Sequence, residues 1–105
     1  MAQISSEIRD LIKKFLLRLE QENIRIQKAI LYGSYANGTY NEWSDIDLAI
    51  VSDDFLGNRV LDKERMIKSI VDINTSISPL PYRPEDFDES DLFVKEIIKT
   101  GIRIV

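Results

Sequence analysis

The sequence contains neither cysteine nor histidine. The lack of cysteine excludes disulfides and thiolate metal sites, and the lack of histidine excludes imidazole ligands and histidine-based acid–base catalysis. No apolar run approaches the length of a membrane span, and no basic segment followed by an apolar core begins the chain. Any chemistry must therefore come from carboxylates, hydroxyls, lysine, arginine or the backbone, and we expect a cytoplasmic protein without membrane contact.

Positive charge is also scarce, because 14 lysines and arginines stand against 18 aspartates and glutamates, for a formal charge of −4. Duplex-binding modules need a basic face for the phosphates, so we expect no direct binding of nucleic acid. Hydrophobic residues make up 44% of the 105 residues, and no linker or repeat interrupts them. This is enough chain for one core, which predicts a single domain over residues 1–105.

The spacing of apolar residues predicts a mixture of helices and strands. Helices are predicted over residues 5–23, 58–74 and 91–99, and strands over 24–32, 46–51, 77–82 and 102–105. This order is typical of an α+β (mixed α/β) domain, in which helices pack on a mixed β-sheet. Pro79 and Pro81 lack amide donors, so their strand is expected to lie at an edge or to be irregular, and Gly101 is expected to end the last helix in the C′ role.

The second predicted helix carries apolar residues that we expect to supply its buried side. They are Val60, Leu61, Met66, Ile67, Ile70, Val71 and Ile73.

Chemistry is concentrated between the first two strands, where residues 31–51 read LYGSYANGTYNEWSDIDLAIV. Asp45 and Asp47 are two residues apart at the start of a strand, so their side chains should face the same way. Two adjacent carboxylates repel each other unless a cation lies between them, and Mg²⁺ prefers such oxygen ligands. Upstream, the Gly33-Ser34 turn lets a phosphate approach the backbone, and Gly38 permits the sharp return of the loop. Together these residues predict a site for a nucleoside triphosphate and its metal ion.

This stretch resembles the G-S-x3-G-x5-S-D-x-D-L signature of the minimal nucleotidyltransferase domains, which are small relatives of DNA polymerase beta. The residues on the pattern are Gly33, Ser34, Gly38, Ser44, Asp45, Asp47 and Leu48. The resemblance implies nucleotide binding by Gly33, Ser34 and Ser44, and metal binding and catalysis by Asp45 and Asp47.

The resemblance further implies transfer of a nucleoside monophosphate, foremost AMP from ATP, onto a hydroxyl acceptor with Mg²⁺, or Mn²⁺ in its place. In such minimal domains the acceptor is commonly a tyrosine of a small helical HEPN-type toxin, which would make this chain an antitoxin. Self-association into a homo-oligomer stays open.

Two departures from the family pattern are visible. Many relatives carry an arginine in the loop where this chain has residues 35–37, YAN, so either the affinity for triphosphate is lower or Arg25, Lys28 or Arg59 substitutes. Active relatives also use a third acid on a later strand, at the place where this chain has Ser78. A serine is neither an anionic ligand nor a general base at neutral pH.

The missing acid therefore leaves a second reading, in which the chain is a catalytically impaired antitoxin that neutralises its partner by stoichiometric binding. No neighbouring acid is a clear substitute for the third acid, because Asp72 falls on the preceding helix and both Asp86 and Asp88 fall in a loop.

Overall fold

The computed structural model describes residues 4–105 and contains a four-stranded sheet with helices on both faces. In chain order the elements are α1 (Ser6–Gln21), β1 (Lys28–Tyr32), α2 (Ser34–Asn37), β2 (Ile46–Val51), α3 (Arg59–Ile73), β3 (Ile77–Tyr82), a 3₁₀ turn (Pro84–Asp86), α4 (Leu92–Thr100) and β4 (Ile102–Arg103). The α+β expectation is thus confirmed. None of the helices within residues 4–105 has the length and apolarity needed to cross a bilayer.

The sheet order is β3-β2-β1-β4, with β2 parallel to β3 and antiparallel to β1, and with β4 antiparallel to β1. Residues of α1 and α3 pack on one face of the sheet, and residues of α4 pack on the other. Because β2 is covered on both faces, it carries an almost unbroken apolar run, as the sequence predicted. The central position of β2 places its two ends between helices rather than at the rim.

Helix α1 follows the sequence expectation closely. The Ser5 hydroxyl accepts a hydrogen bond from the Ile8 N–H and caps the first turn. One turn after another then buries an apolar residue against the sheet: Ile12, Phe15, Leu16 and Leu19.

Helix α3 is rotated relative to the orientation that its apolar residues predict. The expected buried set is wrong in part, because Val60, Leu61, Ile67 and Val71 are exposed, whereas Met66 is buried and Ile70 and Ile73 are partly buried. Two polar side chains, Asp62 and Ser69, lie on the inner face instead. Hydrogen bonding explains the inward position of Asp62, because a buried carboxylate is tolerated where amide donors satisfy it.

Asp62 provides those bonds. Its two carboxylate oxygens accept hydrogen bonds from the Leu56 N–H at 2.8 Å and the Gly57 N–H at 3.0 Å, while its side chain is only 2% exposed. The carboxylate therefore joins the loop after β2 to the first turn of α3. Without it, two amides of this loop would lose their acceptors.

We predict that Asp62→Ala lowers the free energy of unfolding by roughly 2 kcal/mol or more, because it leaves those donors unsatisfied. Urea denaturation measures the loss. Lys63→Ala, an exposed neighbour on the same helix, serves as the matched control and should stay within about 0.5 kcal/mol of the parent. An equal effect of the two substitutions would contradict the bracing role of Asp62.

Strand β3 is an edge strand of the sheet within residues 4–105, as its two prolines predicted. The carbonyls of Ser76 and Tyr82 accept hydrogen bonds from the β2 side, from the Ile46 N–H and the Ser52 N–H. Backbone direction alternates along a strand, so the odd-numbered positions between them point to the open edge. Pro79 and Pro81 occupy such positions, and neither can donate there.

Gly101 ends α4 but not by the left-handed conformation that the C′ role requires. Its φ is −78° and its ψ is 167°, which any residue can adopt. A Cβ at this position would lie 2.5 Å from the Ile30 side chain and 2.5 Å from the Ile97 carbonyl oxygen. The glycine is needed because the backbone approaches β1 closely, and the predicted cap geometry is wrong.

Candidate functional site

The candidate site begins at the turn that follows β1. Gly33 has a φ of +76°, a conformation that favours glycine, and its carbonyl accepts hydrogen bonds from the Ala36 N–H and the Asn37 N–H. Gly38 ends the short α2 helix in the left-handed conformation, with a φ of +77°. The two glycines thus form the tight turn and the sharp return that the sequence predicted.

Gly33 also lies against the carboxylate of Asp47. A Cβ on Gly33 would lie 2.4 Å from the Asp47 Oδ2, far inside van der Waals contact. A side chain here would have to displace the Asp47 carboxylate, and the positive φ also favours glycine at this position. The structure therefore brings together two parts of the motif that are fourteen residues apart in sequence.

Asp47 stands in a row of three polar side chains across the sheet. It pairs with Tyr32 of β1 on one side and with Ser78 of β3 on the other. Paired residues on neighbouring strands project from the same face, so all three side chains lie on the face that α4 covers in part. Ser78, the residue at the place where relatives show the third acid, is thus the direct neighbour of Asp47.

The surroundings of Asp47 raise the pKa of its carboxyl, and no positive charge within residues 4–105 offsets that rise. Burial raises its pKa above the ordinary value, and the charge of Asp45 raises it further. Asp45 is exposed, whereas Ile46 between them is buried in the core on the other face, as strand alternation predicted. Burial together with the charge of Asp47 also raises the pKa of Tyr32 to about 12, so its phenol stays protonated and can donate a hydrogen bond.

The raised pKa of Asp47 has a consequence for stability. A carboxyl that holds its proton more tightly in the folded state destabilises that state once the pH exceeds its pKa, and it costs nothing below its unfolded pKa. We therefore predict that Asp47→Asn raises the free energy of unfolding at about pH 7, and that the gain disappears near pH 3. Denaturation at both pH values, with Asp10→Asn of α1 as an exposed control, measures the difference. A gain that persists at low pH would assign it to packing.

The loop before β2 is shaped by its own side chains. The Ser44 hydroxyl accepts a hydrogen bond from the Asn41 N–H, and the Asn41 amide oxygen accepts one from the Trp43 N–H. Ser44, predicted to contact the nucleotide, therefore also closes this turn beside Asp45. Trp43 projects from the loop with 83% of its surface exposed.

Comparison with known proteins assigns the chain to a family. The model of the nucleotidyltransferase domain matches residues 11–103, which is most of the sequence. The chain belongs to the nucleotidyltransferase domain family. A Methanocaldococcus jannaschii protein that carries the assignment of protein adenylyltransferase is 31% identical over 110 aligned positions, which cover 93% of this chain and 71% of that protein.

Solved structures show the same fold for this nucleotidyltransferase domain. A chain from a toxin–antitoxin complex with AMP-PNP matches with a TM-score of 0.64 and 21% identity, over 92% of this chain and 72% of that one. A chain from a mutant toxin–antitoxin complex, MntA–HpeT, matches with a TM-score of 0.62 and 18% identity over the same shares. At identities of 21% and 18%, the similarity to these structures establishes the fold alone.

The oxygen ligands of this domain suit a hard divalent cation. The charge of Asp45 raises the pKa of Asp47, and a bound cation would offset this repulsion. Across residues 4–105, no cluster of three histidine, cysteine, aspartate or glutamate side chains could hold a metal by itself. Mg²⁺ is commonly held by one or two carboxylates together with substrate phosphates, so the pair fits a metal that arrives with a nucleotide.

The basic residues considered as replacements for a loop arginine lie elsewhere. Arg25 is bonded to Asp54, and Lys28 begins β1, opposite Val51 and four residues from Tyr32. Four residues of strand span roughly 13 Å, so Lys28 is at the far end of the sheet from Asp47. Arg59 lies over the Tyr82 ring, 5.9 Å from its centroid. The structure thus places none of the three in the Gly33 turn.

A cavity of about 460 Å³ lies away from the aspartates. It lies where β3 ends and α3 begins, and its lining includes Tyr82, which pairs with Val51 at the far end of β2. Its charged groups are engaged within the fold, because Arg83 pairs with Asp86, and Asp91 caps α4. We therefore take the Gly33–Asp47 corner, rather than this cavity, as the candidate site.

Proposed function

We propose that this chain is a metal-dependent nucleotidyltransferase that moves AMP from ATP onto a hydroxyl. The observation that carries the proposal is the contact between Gly33 and the Asp47 carboxylate, with Asp45 alongside. It joins a turn suited to phosphate and a carboxylate pair suited to Mg²⁺ or Mn²⁺ at one point. The family of the chain and the AMP-PNP in a related complex support the same reading.

In the proposed reaction, the acceptor hydroxyl oxygen forms a bond to the α-phosphorus, the bond from phosphorus to pyrophosphate breaks, and the hydroxyl proton leaves to solvent. Gly33 and Ser34 would hold the triphosphate, Ser44 would fix the loop beside it, and Asp45 and Asp47 would hold the cation. A divalent cation, when bound, would neutralise charge on the phosphates and orient the α-phosphate. Asp47 therefore has to be ionised for transfer.

We propose that the acceptor is a tyrosine on a small helical partner of the HEPN type, and that transfer silences a toxin. Structural relatives of this chain occur in toxin–antitoxin complexes, and a sequence relative is assigned as a protein adenylyltransferase, so both support a protein acceptor. The proposal makes this chain the antitoxin of a pair.

The test incubates the purified chain with Mg²⁺ and α-labelled ATP, with and without a small helical protein of the HEPN type. We expect an added AMP on a tyrosine of the partner, detected by mass spectrometry. A stable complex in which the partner carries no AMP would overturn the enzymatic proposal.

A second function is favoured by one observation, the serine that stands directly beside Asp47 in β3. Without a third carboxylate, the chain would neutralise its partner by stoichiometric binding and keep the nucleotide site for sensing only. In that case Asp47→Asn would leave neutralisation of the toxin unchanged, whereas an enzymatic antitoxin would lose it.

A further inference from the structure

A groove lies between the Gly33 turn and α4. Its volume is about 260 Å³, and its lining includes Tyr32, Gly33, Asn37, Phe93, Glu96 and Thr100. Residues 93, 96 and 100 recur at helical spacing, so one face of α4 forms a wall. We call this cavity the Tyr32–Phe93 groove.

The groove is continuous with the candidate site. Gly33 lines it and at the same time contacts the Asp47 carboxylate. Tyr32, whose side chain shares a row with Asp47, is part of its lining as well. A nucleotide held by its phosphates at Gly33 would therefore have the groove within reach of its remaining half.

Away from Gly33, the chemistry of the lining does not favour phosphates as occupants. No lysine or arginine lines the groove, and Glu96 contributes a negative charge. The aromatic rings of Tyr32 and Phe93 meet edge to face, with 5.8 Å between centroids, and Phe93 keeps half of its surface exposed. Such a lining suits a flat, uncharged ring system that stacks on an aromatic side chain, with the Asn37 amide and the Glu96 carboxylate available to polar edges.

We propose that the Tyr32–Phe93 groove seats the purine base of the nucleoside triphosphate. This inference rests on the proposed nucleotidyltransferase function. The base is favoured over the ring of an acceptor tyrosine because the base is covalently tied to the phosphates at Gly33. It assigns Phe93 as the stacking residue and explains how a chain without a basic loop holds ATP through its base as well as its phosphates.

The test compares two probes, Mg²⁺–ATP and Mg²⁺–tripolyphosphate, by titration calorimetry. Tripolyphosphate has the charges of the nucleotide but no base. We expect Phe93→Ala to weaken ATP binding about tenfold or more and to leave tripolyphosphate binding within about twofold of the parent. Leu92→Ala, an exposed apolar neighbour on α4 that does not line the groove, is the matched control and should change neither affinity.

Phe93→Leu controls for a loss of folding, because it keeps a large apolar side chain beside Tyr32 but removes the aromatic ring. We expect this variant to keep its thermal transition and still lose affinity for ATP alone. If the parent binds ATP no better than tripolyphosphate, or if both Phe93 variants bind ATP normally, the base site is wrong while the phosphate site stands. If the parent binds neither probe, the proposed function fails and the base site fails with it.

Discussion

Asp47→Asn is expected to reduce AMP transfer at least a hundredfold, roughly the effect of removing a single electrostatic contact to the reacting charge in other enzymes. The amide cannot act as an anionic ligand, so the cation would lose one of its two carboxylates. Of the two aspartates, Asp47 is the one whose substitution we expect to affect transfer more, because it is partly buried and adjoins Gly33. The rate of AMP incorporation into the partner, measured by mass spectrometry, gives the size of the loss.

The same variant distinguishes a functional carboxylate from a structural one. If Asp47 serves the reaction, activity falls while the thermal transition at neutral pH stays or rises, since a charge without compensation has been removed. Asp10→Asn, exposed on α1, is the control and should alter neither property. A fall in both activity and stability would instead show that Asp47 supports the fold.

Ser78→Asp is expected to raise the rate of transfer, by about a hundredfold if the new carboxylate takes the acceptor proton. The strand register makes this prediction specific, because Ser78 pairs with Asp47 and projects from the same face. A carboxylate there would complete a set of three acids without a change of backbone. Rates with Mg²⁺ and ATP, measured at saturating partner, compare the variant with the parent.

Ser78→Asn is the matched control, since it has nearly the same shape as the aspartate and no charge. Equal rates for the two variants would show that the deficit of this site is not a missing acid. The aspartate variant should also melt at a lower temperature than the asparagine variant without metal, because three carboxylates would then repel one another. Addition of Mg²⁺ should reduce this difference in melting temperature if the three carboxylates bind the same cation.

Much of this arrangement could be predicted from local patterns. The bounds of β2 and β3 are those expected from their apolar runs, and the turn glycines lie where the loop requires them. The family resemblance identifies Ser78 as the residue in place of a third acid, and the strand register then places it beside Asp47. The strand bounds and the turn glycines depend on residues that are close together in the sequence, so a single chain is enough to predict them.

The remaining features depend on contacts between distant segments. The inward position of Asp62 on α3 depends on amides of the preceding loop that bind its carboxylate, and periodicity counts an aspartate only as polar. The role of Gly101 depends on the closeness of β1, which no pattern around that glycine reveals. The Tyr32–Phe93 groove joins residues sixty-one positions apart, and the sequence signals Phe93 only as one apolar residue of an amphipathic helix.

The prolines of β3 limit how this domain can assemble with other chains. An exposed strand usually offers amide donors along its edge, and a foreign strand can extend the sheet there. Pro79 and Pro81 remove those donors at two successive outward positions, and the opposite edge strand, β4, is two residues long. Addition of a foreign strand is therefore disfavoured at both edges of the sheet, which favours recognition of this domain through its side chains.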